Sequence, residues 1–422
     1  MPSVYFQTFG CQMNTADSDA IRRLLALRGF TAADSHADSD LIVVNTCSVR
    51  EAAERRAAAR IAEFAAGKRS RPGQKLWVTG CMAERAGDAL KERIPGIDMV
   101  IGAKRMERIG EVVEGAFPLC QGGAPAAFGG SAVSDFVPVT RGCDNYCAYC
   151  VVPYVRGRER SVPCEAVESA VREKVAAGVR EITFLGQNVN SYNCGGVDFP
   201  RLLLRMSEID GLERIRFTTS HPKDCTAALI DAMASSPKIA AHIHLPVQAG
   251  ADRVLSLMNR GYTAARYRGL IEMIRARLPR ADITSDILVG FPTETDAEFR
   301  ETLALAREAR FTTAFMFAYS PREGTAAASM PEEITQKEKL ARLSELIALQ
   351  TEITRGIYED AVGRELEVLV TERQRKRDMA WMGQDGGCKR VLISCDGVEA
   401  GMIFKAKAVR SSGMTLIAEK VK

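Results

Sequence analysis

Short apolar runs alternate with longer helical patterns over the first hundred residues. VYFQTFG, DLIVVNT, KLWVTG and IDMVIG are separated by DSDAIRRLLALRG, SVREAAERRAAARIAEFAAG and ERAGDALKERI. Strands alternating with helices predict βαβ units on a parallel sheet. Ser48 and Glu51 fit an S-x-x-E capping box, which would start the second helix by satisfying orphan N–H groups of its first turn. Residues 121–135, QGGAPAAFGGSAVSD, carry no periodicity and read as a linker.

From residue 136 the alternation resumes with FVPVTRG, EITFLGQ, RIRFTTS, HIHLPVQ, DITSDILVG and TTAFMFAYS, each followed by a helical pattern. Thr295 and Glu298 form another capping box. Six βα units fall short of a complete eight-stranded barrel, so the expectation is a partial, TIM-like (β/α)6 barrel rather than an open sheet. From about residue 362 the period becomes two: Leu366, Val368 and Val370 alternate with polar residues, and RVLIS and AGMIFKAKAV follow across GQDGG and SSG turns. That predicts a small antiparallel β-barrel of the five-stranded OB-like kind. The fold class is α/β, with a parallel-sheet domain over 1–120, a linker over 121–135, the partial barrel over 136–360 and the β module over 362–422.

Charge is uninformative in total, 57 basic against 53 acidic residues, but not in distribution. The last sixty-one residues hold twelve Lys/Arg and eight Asp/Glu, so the whole net charge of +4 sits there. A small basic module on a neutral body suits a polyanion such as nucleic acid; a solvated charged surface is the plainer alternative. No apolar run approaches a membrane span of about 18 residues, and MPSVYFQTFG lacks the basic and apolar regions of a signal peptide, so the expected location is the cytoplasm. Twelve cysteines in a reducing compartment point to metal or cluster ligation rather than disulfides.

Two groups of cysteines stand out. Cys143, Cys147 and Cys150 in RGCDNYCAYCVVPY follow the first barrel strand, and no fourth cysteine lies nearby. Zinc knots normally show a second C-x-x-C pair or suitably spaced histidines, and His221, His242 and His244 are far along the chain. A cubane held by three thiolates leaves one iron open to a non-protein ligand. Cys11, Cys47 and Cys81 each follow one of the first three strands, in TFGCQMN, VNTCSV and VTGCMA. Parallel strands place their carboxyl ends on one edge, so these three can converge as well. The alternative is three buried cysteines packing as small hydrophobes. Cys120, Cys164, Cys194, Cys225, Cys388 and Cys395 share no pattern. His242 and His244 alternate on one strand and face one way, as a metal pair or as polar residues lining the barrel. Nearly every barrel strand ends in polar residues: Gln187 and Asn188, Ser220 and His221, Gln248, Asp286, Tyr319 and Ser320. A reaction site would show this pattern, and so would ordinary loop starts.

C-x-x-x-C-x-aromatic-C after a first barrel strand resembles the radical S-adenosylmethionine superfamily. The order of three-cysteine domain, radical barrel and basic β module resembles its methylthiotransferase family over essentially the whole chain. GCQMN, NTCSVREAAE, TGCMAER, CDNYCAYCVVPYVRGRERS, LGQNVNSY and HLPVQAGADRVLSLMNRGYT look most like the branch that methylthiolates isopentenyladenosine beside the tRNA anticodon. Branches acting on threonylcarbamoyladenosine in tRNA or on a ribosomal-protein aspartate share the domain order. The resemblance implies two 4Fe-4S clusters, S-adenosylmethionine on the Cys143 trio, and a sulfur species on the Cys11 trio facing it across a shared cavity. It places Tyr149 beside the adenine and Gln187 at the methionine amino group, with Gln248, Arg260 and Asp286 contacting carboxylate and ribose. The last module resembles a TRAM domain, whose Arg373, Arg375, Lys376 and Arg377 would contact tRNA phosphates. Arg156 and Arg158 either face RNA or form ion pairs. An electron donor and a sulfur donor are implied without being identified, and no membrane partner is. A non-catalytic iron-sulfur or zinc RNA-binding protein, or a radical enzyme whose extra cluster relays electrons, are the rivals.

Overall fold

Leu41–Thr46, buried at every residue, is the middle strand of the first sheet. In the computed structural model, which describes residues 1–48, 51–118, 133–374, 380–393 and 397–421, that sheet holds β1 (Ser3–Thr8), β2 (Thr31–Ala32), β3 (Leu41–Thr46), β4 (Lys75–Gly80) and β5 (Met99–Gly102). Their order is β2-β1-β3-β4-β5 with every pairing parallel. Successive residues of β3 serve opposite faces. Leu41 and Val43 pack with Ile21 and Leu25 of α1 (Gln12–Ala26), whereas Ile42 and Val44 pack with Ile61 and Phe64 of α2 (Glu51–Gly67). Helices on both faces explain why Leu41–Val44 is a continuous apolar run instead of alternating, with polar Asn45 and Thr46 only at the strand's end.

The chain divides into two units. One comprises Met1–Ser131 together with Arg141–Asp144 and Cys150–Arg160; the other comprises Ala132–Thr140, Asn145–Tyr149 and Ser161–Lys422. Cys120, Cys395, Arg375, Lys376, Arg377 and most of the 121–135 segment lie outside the described residues, as does part of the Ser48–Glu51 capping box.

The six strands expected in the second unit are present: β6 (Ser134–Pro138), β7 (Glu181–Leu185), β8 (Arg214–Thr218), β9 (His242–His244), β10 (Asp282–Val289) and β11 (Thr313–Ala318). They form two parallel ladders, β8-β7-β6 and β9-β10-β11. The arc is interrupted in the middle, where an Ile215–Ile239 bridge pairs β8 with the segment before β9. β9 is short because the ladder register is lost soon after it: the Leu245 N–H still donates to the Thr284 carbonyl at 2.8 Å, but the Val247 N–H turns to Ser285 Oγ at 3.0 Å. The helix Asp296–Ala309 opens with both halves of the Thr295–Glu298 capping box, and Gln336–Glu359 opens with the same device at Thr335–Glu338.

The last module is a closed five-stranded barrel of β12 (Glu365–Arg373), β13 (Trp381–Asp385), β14 (Arg390–Ile393), β15 (Ile403–Ser411) and β16 (Thr415–Lys420). The expectation of a wholly antiparallel module needs one correction, because β14 and β16 run parallel. An odd number of strands around a closed ring cannot all alternate in direction.

This module docks on the amino-terminal ends of the barrel strands. Arg216 of β8 donates to Glu181 at 2.7 Å and to the Asp385 carbonyl at 2.7 Å, and Arg214 donates to Glu367 at 3.1 Å. Asp282, which begins β10, accepts from Lys389 Nζ and from the Cys388 N–H at 2.8 Å. Ligands of parallel sheets sit at the opposite, carboxyl, strand edge. The β module therefore buttresses the barrel from the end away from its chemistry.

Candidate cluster and cofactor sites

In the first unit each cysteine of the spread-out trio follows its strand as expected. Cys11 caps α1, Cys47 comes directly after β3, and Cys81 follows β4 as the first residue of the short helix Cys81–Ala86. Two glycines show how closely the three turns approach. A Cβ on Gly10, at φ +126°, would lie 2.9 Å from Cys47 Cβ, and one on Gly80, at φ +99°, would lie 2.3 Å from the Thr46 carbonyl oxygen. Only glycine allows the backbones so near. Asparagines beside the cysteines tie the first two turns together. Asn14 donates to Asn45 Oδ1 at 2.7 Å and to the Thr46 carbonyl at 3.0 Å, while Cys11 Sγ donates to Asn14 at 3.3 Å.

Cys11 is exposed; Cys47 and Cys81 are buried. Burial pushes the Cys81 thiol up to about 11, Arg156 opposes that rise, and Cys47 and Cys11 add to it through their own charge. The three sulfurs therefore share one electrostatic neighbourhood. Among the described residues no three His, Cys, Asp or Glu side chains are arranged to hold a single metal ion. A cubane spreads its thiolates over separate irons, so it suits a looser trio.

The segment after the second trio also belongs to this unit. The Cys143 N–H donates to the Gly157 carbonyl at 3.2 Å, and Cys150 Sγ accepts from the Val152 N–H at 3.5 Å. Arg156 is buried rather than directed at RNA, which corrects one of its two readings: its Nη1 meets Asp17 Oδ2 at 3.2 Å, and Arg141 meets the other carboxylate oxygen at 2.7 Å. Arg158 is exposed and pairs with Asp144 at 2.8 Å.

In the second unit Arg260 is the organising residue. It is 4% exposed and donates to Cys147 Sγ at 3.1 Å, Tyr149 Oη at 3.4 Å, Tyr262 Oη at 3.1 Å and the Pro246 carbonyl at 2.9 Å. Burial works against its charge, but Tyr149, Tyr262 and Cys147 outweigh that and hold its pKa well above the ordinary value. Gln248 is buried in the left-handed region at φ 70°; its N–H donates to the Asp286 carbonyl and its own carbonyl accepts from Leu288. Asp286 meets His244 Nε2 at 3.5 Å. Gln187 is half-buried beyond the end of β7. His242 and His244 both hydrogen-bond Thr284 Oγ1, at 2.9 and 3.0 Å, as barrel-lining polar residues do.

Four buried polar atoms in the loops after these strands have no hydrogen-bond partner: Asn188 Oδ1, Ser220 Oγ, His221 Nε2 and Tyr319 Oη. Such groups are rare, and each calls for a ligand or solvent. Burial, with Arg260 and Lys223 adding to it, drives the His221 pKa down to about 2, so its imidazole is neutral. These residues belong to the polar strand ends visible in the sequence, although nothing there separated them from ordinary loop starts. Asp17 and Arg141 escaped the sequence reading altogether, since a pair 124 residues apart leaves no local signature.

Comparison with known proteins extends this picture. Residues 3–102 match a family model described as Uncharacterized protein family UPF0004, and residues 137–306 match the Radical SAM superfamily. The fold resembles a solved radical S-adenosylmethionine methyltransferase, TsrM from Kitasatospora setae, with a TM-score of 0.60 at 14% identity over 78% of this chain and 77% of that one. It also resembles the cobalamin-dependent radical enzyme OxsB, at TM-score 0.52 and 11% identity over 84% of this chain and 56% of that one. The match over 137–306, set on parallel strands that end in unpartnered polar atoms, defines a radical S-adenosylmethionine enzyme with a second three-cysteine domain. Curated proteins named tRNA-2-methylthio-N(6)-dimethylallyladenosine synthase are similar over nearly the full length. The Geobacter metallireducens protein is 44% identical over 99% of this chain and 98% of its own, and that of Syntrophotalea carbinolica is 43% identical over 89% and 90%. The chain belongs to the tRNA-2-methylthio-N(6)-dimethylallyladenosine synthase family.

Proposed function

We propose that this protein adds a methylthio group to carbon 2 of the adenine ring of isopentenyladenosine in the tRNA anticodon loop. The observation that carries the reading is the pairing of a strand-end thiol trio in the first unit with a radical S-adenosylmethionine domain in a chain similar to this synthase family throughout. The relatives' names favour this substrate over threonylcarbamoyladenosine or a ribosomal protein.

Cys143, Cys147 and Cys150 would hold one 4Fe-4S cluster and Cys11, Cys47 and Cys81 another. When bound, the first supplies the electron that cleaves S-adenosylmethionine, and the second presents the sulfur destined for the product. The chain's residues bind, orient and keep water out. Arg260 ties Cys147 and Tyr149 to the Pro246 carbonyl, fixing one cluster ligand and one adenine contact on a single guanidinium. Gln187, Gln248 and Asp286 would meet the amino, carboxylate and ribose groups. Asn188 and Ser220 offer buried hydrogen-bonding atoms, and the neutral His221 ring presents Nε2 without adding charge. Burial of these groups shields a reactive radical from solvent.

The substrate base lies in an RNA loop, where it can be splayed outward and read by its edges. Arg373, Arg375, Lys376 and Arg377 would meet backbone phosphates. An electron donor and a sulfur donor complete the set, and the cytoplasm is the proposed location. No helix among the described residues is long and apolar enough to cross a membrane. Mass spectrometry of nucleosides from a strain lacking this gene tests the reading. The methylthio mark on isopentenyladenosine is expected to vanish and to return with the gene; a mark that persists would refute it.

A further inference from the structure

Arg156 keeps a buried donor that none of the described residues satisfies. Asp17, whose side chain is 1% exposed, is shared by two arginines, Arg141 on Oδ1 at 2.7 Å and Arg156 on Oδ2 at 3.2 Å. The Arg141 side chain is 22% exposed and reaches solvent, whereas that of Arg156 is 5% exposed. Nη2 of Arg156 is buried and has no hydrogen-bond partner. A buried guanidinium that leaves donors unused, beside a carboxylate already neutralised by a second arginine, is costly unless another anion completes it.

The missing anion is identified by what surrounds the guanidinium. Val155 packs directly on Cys81 and Ala103, which brings the adjacent Arg156 guanidinium into electrostatic interaction with Cys81 and with Cys11. The thiol trio is neutral when protonated but carries negative charge when its thiolates ligate a cluster. We infer that Arg156 is a positioning residue of the Cys11–Cys47–Cys81 site, donating its free Nη2 to the sulfur of the cluster bound there and holding that cluster's reduction potential up by its buried charge. This rests on the cluster assignment proposed above. A cation beside a cluster favours the reduced form, which carries one more negative charge. Hydrogen bonds to the sulfurs and local net charge are the levers by which proteins set such potentials.

The test uses full-length protein in which Cys143, Cys147 and Cys150 are replaced by Ala, so that one cluster remains, followed by redox titration monitored by electron paramagnetic resonance. Arg156→Gln is expected to move the reduction equilibrium toward the oxidised form at least tenfold, about 59 mV for one electron. Arg156→Lys, which keeps the charge, should move it less. Asp17→Asn unmasks the guanidinium and should shift the potential in the opposite direction, a readout that survives if Arg156→Gln fails to fold. Arg141→Gln, which alters the same carboxylate without touching Cys81, should move it less than Arg156→Gln. Equal potentials in parent and Arg156→Gln, or equal shifts from Arg141→Gln and Arg156→Gln, overturn the inference. So does a downward shift in Asp17→Asn. Absence of iron and sulfide from the parent after reconstitution would instead overturn the ligand assignment beneath it.

Discussion

Replacing Lys389 by Met tests how the β module is held to the barrel. Lys389 is buried, with its ammonium on Asp282 and 3.8 Å from Asp385 Oδ2. The side chains of these carboxylates are 4% and 7% exposed. Burial alone would raise the Asp282 pKa, but Lys389, the Cys388 N–H and Thr312 outweigh it and hold the group below the usual carboxylate range. For Asp385 burial wins, and its pKa lies above that range. Methionine keeps the length of the side chain and removes the cation, leaving two buried carboxylates facing each other. Removing one partner of a buried pair costs about 3–5 kcal/mol, and at about 1.4 kcal/mol per decade that is a loss of roughly two to three and a half decades in the docking equilibrium. Urea unfolding together with limited proteolysis between the barrel and β12 reads it. Cleavage should release the 362–422 module from the variant under conditions that leave the parent whole.

The pH dependence adds a sign. In the parent, the depressed Asp282 pKa stabilises the fold above the unfolded value of about 3.9, and this is lost as pH falls through the folded value. Lys389, whose pKa is raised because Asp282 and Asp385 outweigh burial, contributes until the solution is strongly alkaline. In Lys389→Met both carboxylates lose their cation, so the Asp282 pKa should rise above the unfolded value and that of Asp385, already above it, should rise further. The variant should therefore gain more stability on mild acidification than the parent, in which Asp385 alone favours such a gain and Asp282 opposes it. An unfolding free energy within about 0.5 kcal/mol of the parent, the range of an inconsequential substitution, would refute the reasoning.

Two further outcomes follow from the site. Arg260→Gln removes the guanidinium that joins Cys147 and Tyr149 to the Pro246 carbonyl; reductive cleavage of S-adenosylmethionine should fall at least tenfold, and undiminished cleavage would show that the cluster and adenine need no such clamp. Neutralising Arg373, Arg375, Lys376 and Arg377 together should weaken tRNA binding and flatten its salt dependence while leaving that cleavage intact, because phosphate contacts release counterions. Unchanged binding at low and moderate salt would remove these residues from the interface.

The fold was legible wherever it rests on local pattern. The fully buried β3, the six barrel strands, and the Thr295–Glu298 cap follow from periodicity and from a four-residue hydrogen-bonding device. Placing Cys11, Cys47 and Cys81 on one sheet edge needed only the rule that parallel strands end together. What escaped depends on pairings distant in sequence. The unit boundary passes through residues 141–160, so that Cys150–Arg160 groups with the first domain instead of the barrel. Asp17 finds Arg156 across 139 positions, and Lys389 finds Asp282 across 107. Neither pair differs in sequence from any other acid and base on a helix or strand. The polar strand ends were visible, but only burial without a partner distinguishes His221 and Tyr319 from residues that merely begin a loop.

The chemistry is divided between two thiol trios, and one comparison tests that division most directly. Two reconstituted variants are prepared, one with Cys11, Cys47 and Cys81 replaced by Ala and one with Cys143, Cys147 and Cys150 replaced. Each is incubated with reductant, S-adenosylmethionine and tRNA bearing isopentenyladenosine, and deoxyadenosine and methylthiolated nucleoside are quantified together. The first variant is expected to produce deoxyadenosine and no methylthiolated nucleoside, and the second neither. Methylthiolated nucleoside from the variant lacking Cys11, Cys47 and Cys81 would contradict the account.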